Sequence, residues 1–203
     1  MALFFSLHMN RRSTFGLLLA APLALRQAVL AQASKPPLRA PDIWWEPSTD
    51  EQTLAMLRLA KVTSKDLVYD LGCGDGKVVI TAAKVFGARG VGIDIDPVRI
   101  EESLENAKKH GVTQRVQFRN EDLFEADIRK ATVVTLFLYQ WINLKLRPKL
   151  LKELKPGTRV VSNYHHMGQW KPEQQIEVEG NQIYLWTIPK KSPQFSDSEE
   201  QYR

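Results

Sequence analysis

Four carboxylates and three glycines hold the chemistry legible in this sequence. Asp70-Leu71-Gly72-Cys73-Gly74-Asp75-Gly76 continues the apolar run Leu67-Val68-Tyr69, so a short buried strand feeds a turn with glycine at alternate positions. Glycine lets a backbone turn sharply and approach a ligand closely. Dinucleotide-binding turns are similar, but their third glycine falls one residue later. Charge separates the two readings: Asp70 and Asp75 border this turn, and Lys77 is the nearby cation. A pyrophosphate would meet two negative groups there, whereas a cationic nucleoside would be stabilised. Asp94, which ends the run Val91-Gly92-Ile93, stands where a carboxylate accepts both ribose hydroxyls. Ile95 can pack on the adenine face, and Asp122, past a third apolar run, can accept the adenine amino hydrogens. Each acid alone reads as a solvated loop carboxylate; three of them at the ends of successive strands describe a nucleoside site. S-Adenosylmethionine (SAM), with a sulfonium, an ammonium and no phosphate, matches that pattern of charge.

These residues need a frame of alternating strands and helices. Ser48-Thr49-Asp50-Glu51 reads as a capping box opening a helix with Leu54, Leu57 and Ala60 on one face. Strands are predicted at 67–71, 91–94, 115–118 and 132–138, the last being the most β-prone run and therefore central. Helices are predicted from Lys77 to Phe86, stopped by Gly87, from Pro97 to about His110-Gly111, and around Leu146–Leu154. After a strand at 158–162, the runs 175–179 and 182–188 flank Gly180-Asn181 as a hairpin. Repeated strand–helix units predict a mostly parallel α/β sheet with an antiparallel edge. The domain is expected over residues 48–189, after a Pro-rich linker at 34–47 and before a polar, loose tail at 190–203.

The string Val68-Tyr69-Asp70-Leu71-Gly72-Cys73-Gly74-Asp75-Gly76 resembles motif I of class I SAM-dependent methyltransferases. Gly90-Val91-Gly92-Ile93-Asp94-Ile95-Asp96-Pro97 resembles their ribose-binding motif, and Glu121-Asp122-Leu123 their adenine-binding one. The resemblance implies a Rossmann-like seven-stranded sheet with helices on both faces and the last strand antiparallel. It also implies that Asp70, Gly72, Gly74, Gly76, Asp94, Ile95, Asp122 and Leu123 hold SAM. More narrowly, Pro47-Ser48-Thr49, the stretch Asp75-Gly76-Lys77-Val78-Val79-Ile80-Thr81-Ala82-Ala83 and Leu146-Arg147-Pro148-Lys149-Leu150 are similar to the bacterial relatives of mitochondrial protein-lysine methyltransferases. That family usually carries Tyr-Val-Pro-Thr where this chain has Trp45-Glu46-Pro47-Ser48.

Methyl transfer asks a protein to align the acceptor, exclude water and keep the nucleophile unprotonated. An aromatic channel serves a lysine acceptor, because burial lowers an amine's pKa and aromatic faces attract methylated ammonium groups. Trp44, Trp45, Tyr139, Trp141 and Tyr164 are the candidates, and Tyr139, directly after the fourth strand, is the candidate catalytic residue; its alternative is a partly buried aromatic with a satisfied hydroxyl. His165-His166 follow the fifth strand; either can act as a base, although paired loop histidines are more often solvated or hydrogen-bonded. No carboxylate or third histidine stands at ligand spacing beside them, so no metal is expected. The expected activity is methyl transfer to a protein lysine, with a small-molecule acceptor as the alternative. A non-catalytic SAM-binding module and a nicotinamide-dependent oxidoreductase are the readings from other classes.

Composition bounds the rest. The formal net charge of the 203 residues is +5, with 43% hydrophobic and 25% charged residues. Arg11, Arg12 and Arg26 lie in residues 1–33, which hold no acid; without them 25 basic and 23 acidic residues remain, a net of +2. That modest excess, with no Asn/Asp-Pro-Pro-Tyr motif, counts against a nucleic-acid substrate. Residues 9–33 carry a twin-arginine-like start, an apolar run too short to span a bilayer well, and Ala31-Gln32-Ala33 as a small-x-small cleavage site. They predict a signal peptide and a periplasmic or membrane-tethered protein, with a cytoplasmic one as the alternative. The single cysteine, Cys73, forms no intramolecular disulfide and reads as a small side chain in the turn.

Overall fold

The computed structural model describes residues 38–195; the signal-like segment 1–33 and the end of the polar tail lie outside them. Strand β1 (Leu67–Leu71) leads through the glycine turn to α2 (Lys77–Phe86), after an opening helix α1 (Asp50–Leu59). Then follow β2 (Arg89–Asp94), α3 (Pro97–Lys109), β3 (Val116–Asn120), β4 (Val133–Leu136), α4 (Gln140–Glu153), β5 (Arg159–Asn163), β6 (Gln174–Val178) and β7 (Asn181–Thr187).

The seven strands form one sheet in the order β3-β2-β1-β4-β5-β7-β6. β3, β2, β1, β4 and β5 run parallel, and β7 pairs antiparallel with β5 and with β6. The central parallel strands β1, β4 and β5 are buried on both faces, which requires cover on both sides. On one face Met56 and Leu57 of α1 and Val78, Val79 and Ala82 of α2 pack with Val68, Val133 and Val161. On the other, Ile142, Leu146 and Leu150 of α4 pack with Tyr69, Leu71, Val134 and Trp186. The strand order reverses at β1: β2 and β3 are added on one side of it, and β4 and β5 on the other. That switch point opens a crevice at the carboxyl ends of the strands, where open α/β sheets bind ligands.

Local chemistry moved several boundaries. The capping box of α1 is Thr49 with Gln52, one residue beyond Ser48–Glu51: Thr49 Oγ1 accepts from Gln52 N at 3.1 Å and Thr49 N donates to Gln52 Oε1 at 3.2 Å. Ser48 is used otherwise, its carbonyl accepting from Lys77 Nζ at 2.9 Å. The buried face of α1 accordingly runs through Thr53, Met56, Leu57 and Ala60 rather than Leu54. Helix α4 starts at Gln140, six residues earlier than its apolar stretch, with Tyr139 as its extended N-cap; β4 ends at Leu136, so Phe137 and Leu138 separate Tyr139 from the strand. The hairpin turns at Glu179-Gly180, with φ of 51° and 80°, and Val178 pairs with Asn181. Two successive positive φ values are what a tight hairpin with the natural strand twist demands. Within the tail, Phe195 packs on the core with the Arg147 guanidinium 3.9 Å from its ring.

Candidate active site

A cavity of about 1030 Å³ opens at the switch point. That is large enough for a nucleoside and an acceptor side chain together. Its floor is the glycine turn. Gly72 N and Cys73 N both donate to Ile93 O, at 2.8 and 3.0 Å, tying the turn to the end of β2. Gly74 N donates to Asp94 Oδ2 at 2.8 Å, and Asp96 N donates to Asp94 Oδ1 at 3.0 Å. Gly74 has φ of 52°, and a Cβ there would lie 1.9 Å from Trp45 Nε1, so glycine is required for both conformation and space. Gly76, at φ 80°, is the N-cap of α2; a Cβ on it would meet Phe118 and Ser103.

The acids make the floor electronegative. Asp70, Asp75 and Asp94 all line the cavity. Asp70 is 4% exposed; burial, with the nearby charges of Asp94 and Asp75, pushes its carboxyl up to about 7 against the hydrogen bond from Thr135 Oγ1 at 2.6 Å. Burial also raises Asp94, opposed by the N–H groups of Asp96 and Gly74. A site that makes its own carboxylates reluctant to ionise has electrostatic room for a cation. The Cys73 thiol, buried beside them, is pushed well above its ordinary range and is inert.

The sequence-named residues do not all gather in one wall. Asp70, Gly72, Asp94, Ile95, Leu123 and Tyr139 line the cavity, while Gly74 and Gly76 do not: they lie against Trp45 and against Phe118 and Ser103. Asp122 is set aside from the lining: Arg39 Nε and Nη2 donate to its two carboxylate oxygens at 2.6 and 3.1 Å. Burial acts to raise Asp122, but Arg39 and the Phe124 N–H outweigh it and hold the carboxyl below its ordinary value. Of the aromatic candidates Trp44, Trp45, Tyr139 and Tyr164 line the cavity; Trp141 does not.

Two features were not legible in the sequence. The segment 39–48, whose prolines suggested a linker, forms a wall of the cavity. Arg39 anchors one end of it on Asp122, Lys77 holds Ser48, and the Arg99 guanidinium lies 4.6 Å from the Trp45 ring. At the opposite rim Tyr139 and Tyr164, both about half exposed, flank His165. The rings of Tyr139 and His165 stack at 5.7 Å and 26°, and Tyr164 meets His165 edge-on at 4.7 Å. The Trp44-Trp45 pair was the one sequence signal for the first feature; the second needed the end of β5 to be placed.

Comparison with known proteins agrees with this geometry. The family described as "ANTKMT methyltransferase domain" matches residues 70–174. A protein of Saccharolobus islandicus named protein-lysine N-methyltransferase is 48% identical over 153 residues, 73% of this chain and 95% of its own length. A human lysine N-methyltransferase, named for an ATP synthase component, is 28% identical, covering 83% of this chain and 73% of that one. Among solved structures, one from Salinibacter ruber, described as an RNA methyltransferase in complex with S-adenosyl-L-homocysteine, superposes with TM-score 0.74 at 50% identity. It covers 75% of this chain and 99% of its own. The charge-bordered glycine turn, the strand order and these relatives lead to one assignment: the chain belongs to the ANTKMT methyltransferase-domain family of class I SAM-dependent methyltransferases.

Proposed function

We propose that this protein transfers the methyl group of SAM to the side-chain amine of a protein lysine. One observation carries the reading: an aromatic rim of Trp44, Tyr139 and Tyr164 stands over an acidic floor within a single cavity. When bound, SAM supplies a methyl carbon activated by its sulfonium. Asp94 retains acceptor capacity for ribose hydroxyls beyond its two backbone N–H partners, and Ile95 and Leu123 offer apolar surface for adenine. Asp70 and Asp75 compensate positive charge on the cofactor. Asp122 acts through Arg39, whose ion pair closes the wall formed by residues 39–48. Tyr139 faces the acceptor. Its aromatic neighbourhood displaces water from the amine and favours the neutral, nucleophilic form. Holding the amine in line with the methyl carbon supplies most of the acceleration, roughly 7–11 kcal/mol in well-oriented systems. The lysine-specific names of the Saccharolobus and human relatives support the same acceptor.

A second acceptor class has one observation behind it, the description of the Salinibacter structure as an RNA methyltransferase. Incubating the protein with methyl-labelled SAM and separate pools of proteins, RNA and small metabolites decides among them. Label in lysine residues, located by peptide mass spectrometry, is expected. Label confined to RNA or to metabolites overturns the lysine acceptor, and tight SAM binding with no label in any pool makes the protein a SAM-binding module.

We further propose that residues 1–33 direct the chain to export or tether it to a membrane through Arg11-Arg12 and the apolar run after them. Among the described residues no helix is long and apolar enough to cross a membrane. Cell fractionation with N-terminal sequencing tests this; a full-length chain in the soluble cytoplasmic fraction overturns it.

A further inference from the structure

We infer that His165 is the base that removes the proton from the acceptor lysine's ammonium, and that Asn143 positions it; the inference rests on the lysine acceptor proposed above. Strand β5 ends at Asn163, and the next residue, Tyr164, has φ of 70°, a conformation that a bulky residue rarely adopts. Strain of this kind concentrates where a side chain must be aimed. Tyr164 N donates to Gln182 O at 2.7 Å, fixing the bend against β7. The bend brings the His165 ring into the cavity rim, stacked on Tyr139. From α4, fully buried Asn143 donates through Nδ2 to Ser162 Oγ and to His165 O, both at 3.0 Å, and so pins the turn.

The neighbouring histidines are thereby separated. His166 Nδ1 accepts from Gly168 N at 2.9 Å and is occupied with its own loop. Among the described residues no hydrogen bond engages either ring nitrogen of His165, which leaves both for a substrate. The titratable groups around it are His166, Tyr139 and Tyr164, with Asp70, Asp75 and Asp94 elsewhere in the cavity. Burial first, and then the neighbouring His166, hold the His165 imidazole below its ordinary value, so it is neutral and able to accept at pH 7.

The step balances. A lysine Nζ–H bond breaks, its proton goes to the imidazole, and the nitrogen lone pair is freed. That pair forms the new N–C bond as the methyl C–S bond breaks and its electrons remain on sulfur. The imidazolium then returns its proton to solvent.

The test is the pH dependence of kcat toward a lysine peptide that the wild-type protein labels, measured for His165→Gln, His165→Ala, Asn143→Ala and, as a control, His166→Gln. Binding of S-adenosyl-L-homocysteine, measured by calorimetry, verifies that each variant is folded. Wild-type kcat is expected to rise to a break below the usual imidazole pKa of about 6.5 and then flatten. His165→Gln loses that break and is slower by about 100-fold or more at pH 7, with cofactor affinity unchanged. Added imidazole partly restores His165→Ala, Asn143→Ala moves the break up toward about 6.5, and His166→Gln keeps it in place. His165 variants whose profiles parallel the wild type, or an alanine variant that imidazole does not rescue, overturn the inference alone. A wild-type protein that labels no lysine brings down the acceptor assignment and this inference with it.

Discussion

Asp70 sits where a carboxylate is hardest to ionise: buried, beside Asp94 and Asp75, and relieved only by the hydroxyl of Thr135. Its folded value of about 7 lies well above the ordinary range near 4. The folded protein therefore binds the extra proton between those limits, and the cofactor-free protein loses stability as pH rises through that window. A cationic cofactor reverses the preference. SAM is expected to bind more tightly as pH rises from 5 to 7.5 and to release protons on binding, with a weaker trend for S-adenosyl-L-homocysteine, which lacks the sulfonium. Calorimetry in two buffers of different ionisation enthalpy measures this directly; a pH-independent SAM affinity removes Asp70 from cofactor recognition. Asp94→Asn keeps one side-chain oxygen to accept from a backbone N–H but loses the charge, and SAM affinity is expected to fall about 10- to 100-fold. Tyr139→Phe keeps the ring stacked on His165 while deleting the hydroxyl. A loss of turnover of about tenfold with cofactor affinity intact is expected if that hydroxyl hydrogen-bonds in the transition state; equal turnover reduces Tyr139 to an aromatic wall.

Elements place these residues through their ends. Of the N-caps Thr49 of α1, Gly76 of α2 and Tyr139 of α4, Tyr139 lines the cavity, and each is set by a local rule of backbone conformation. Thr49 is the clearest case. Two overlapping boxes could be read from Ser48-Thr49-Asp50-Glu51-Gln52, and only Thr49–Gln52 makes both reciprocal bonds. Thermal or denaturant unfolding of Thr49→Ala is expected to show a loss of about 1 kcal/mol, and of Ser48→Ala much less. The reverse ranking would return the cap to Ser48. Gln52 Oε1 also accepts from Asn163 Nδ2 at 3.2 Å, so this cap reaches the end of β5, just before the bend at Tyr164.

Across the whole molecule the sheet has two working edges. At its carboxyl edge lies the cavity; at its opposite edge Asp66, 6% exposed, accepts from Thr63, Thr132 and Arg159. Burial acts to raise Asp66, but these partners together hold it below its ordinary value. The stability it confers is present above about 4 and is lost as pH falls through its depressed folded value, opposite in sign to Asp70. Arg159→Met leaves this buried carboxylate without its cation, and a loss of about 3 kcal/mol is expected in denaturant unfolding, at the lower end because two threonines still donate to Asp66.

Local rules set much of this protein from its sequence. Strand–glycine–helix alternation, the acids at the ends of β1 and β2 and the Gly180 hairpin each arise from residues close in the chain, so periodicity and turn chemistry expose them. The sheet order, the pairing of Arg39 with Asp122 across 83 residues, the wall made by residues 39–48 and the meeting of Tyr139 with His165 were decided only in three dimensions. Those contacts join segments that no local propensity relates. They form because burying both faces of one twisted sheet brings the ends of β1, β2, β4 and β5 to the same crevice.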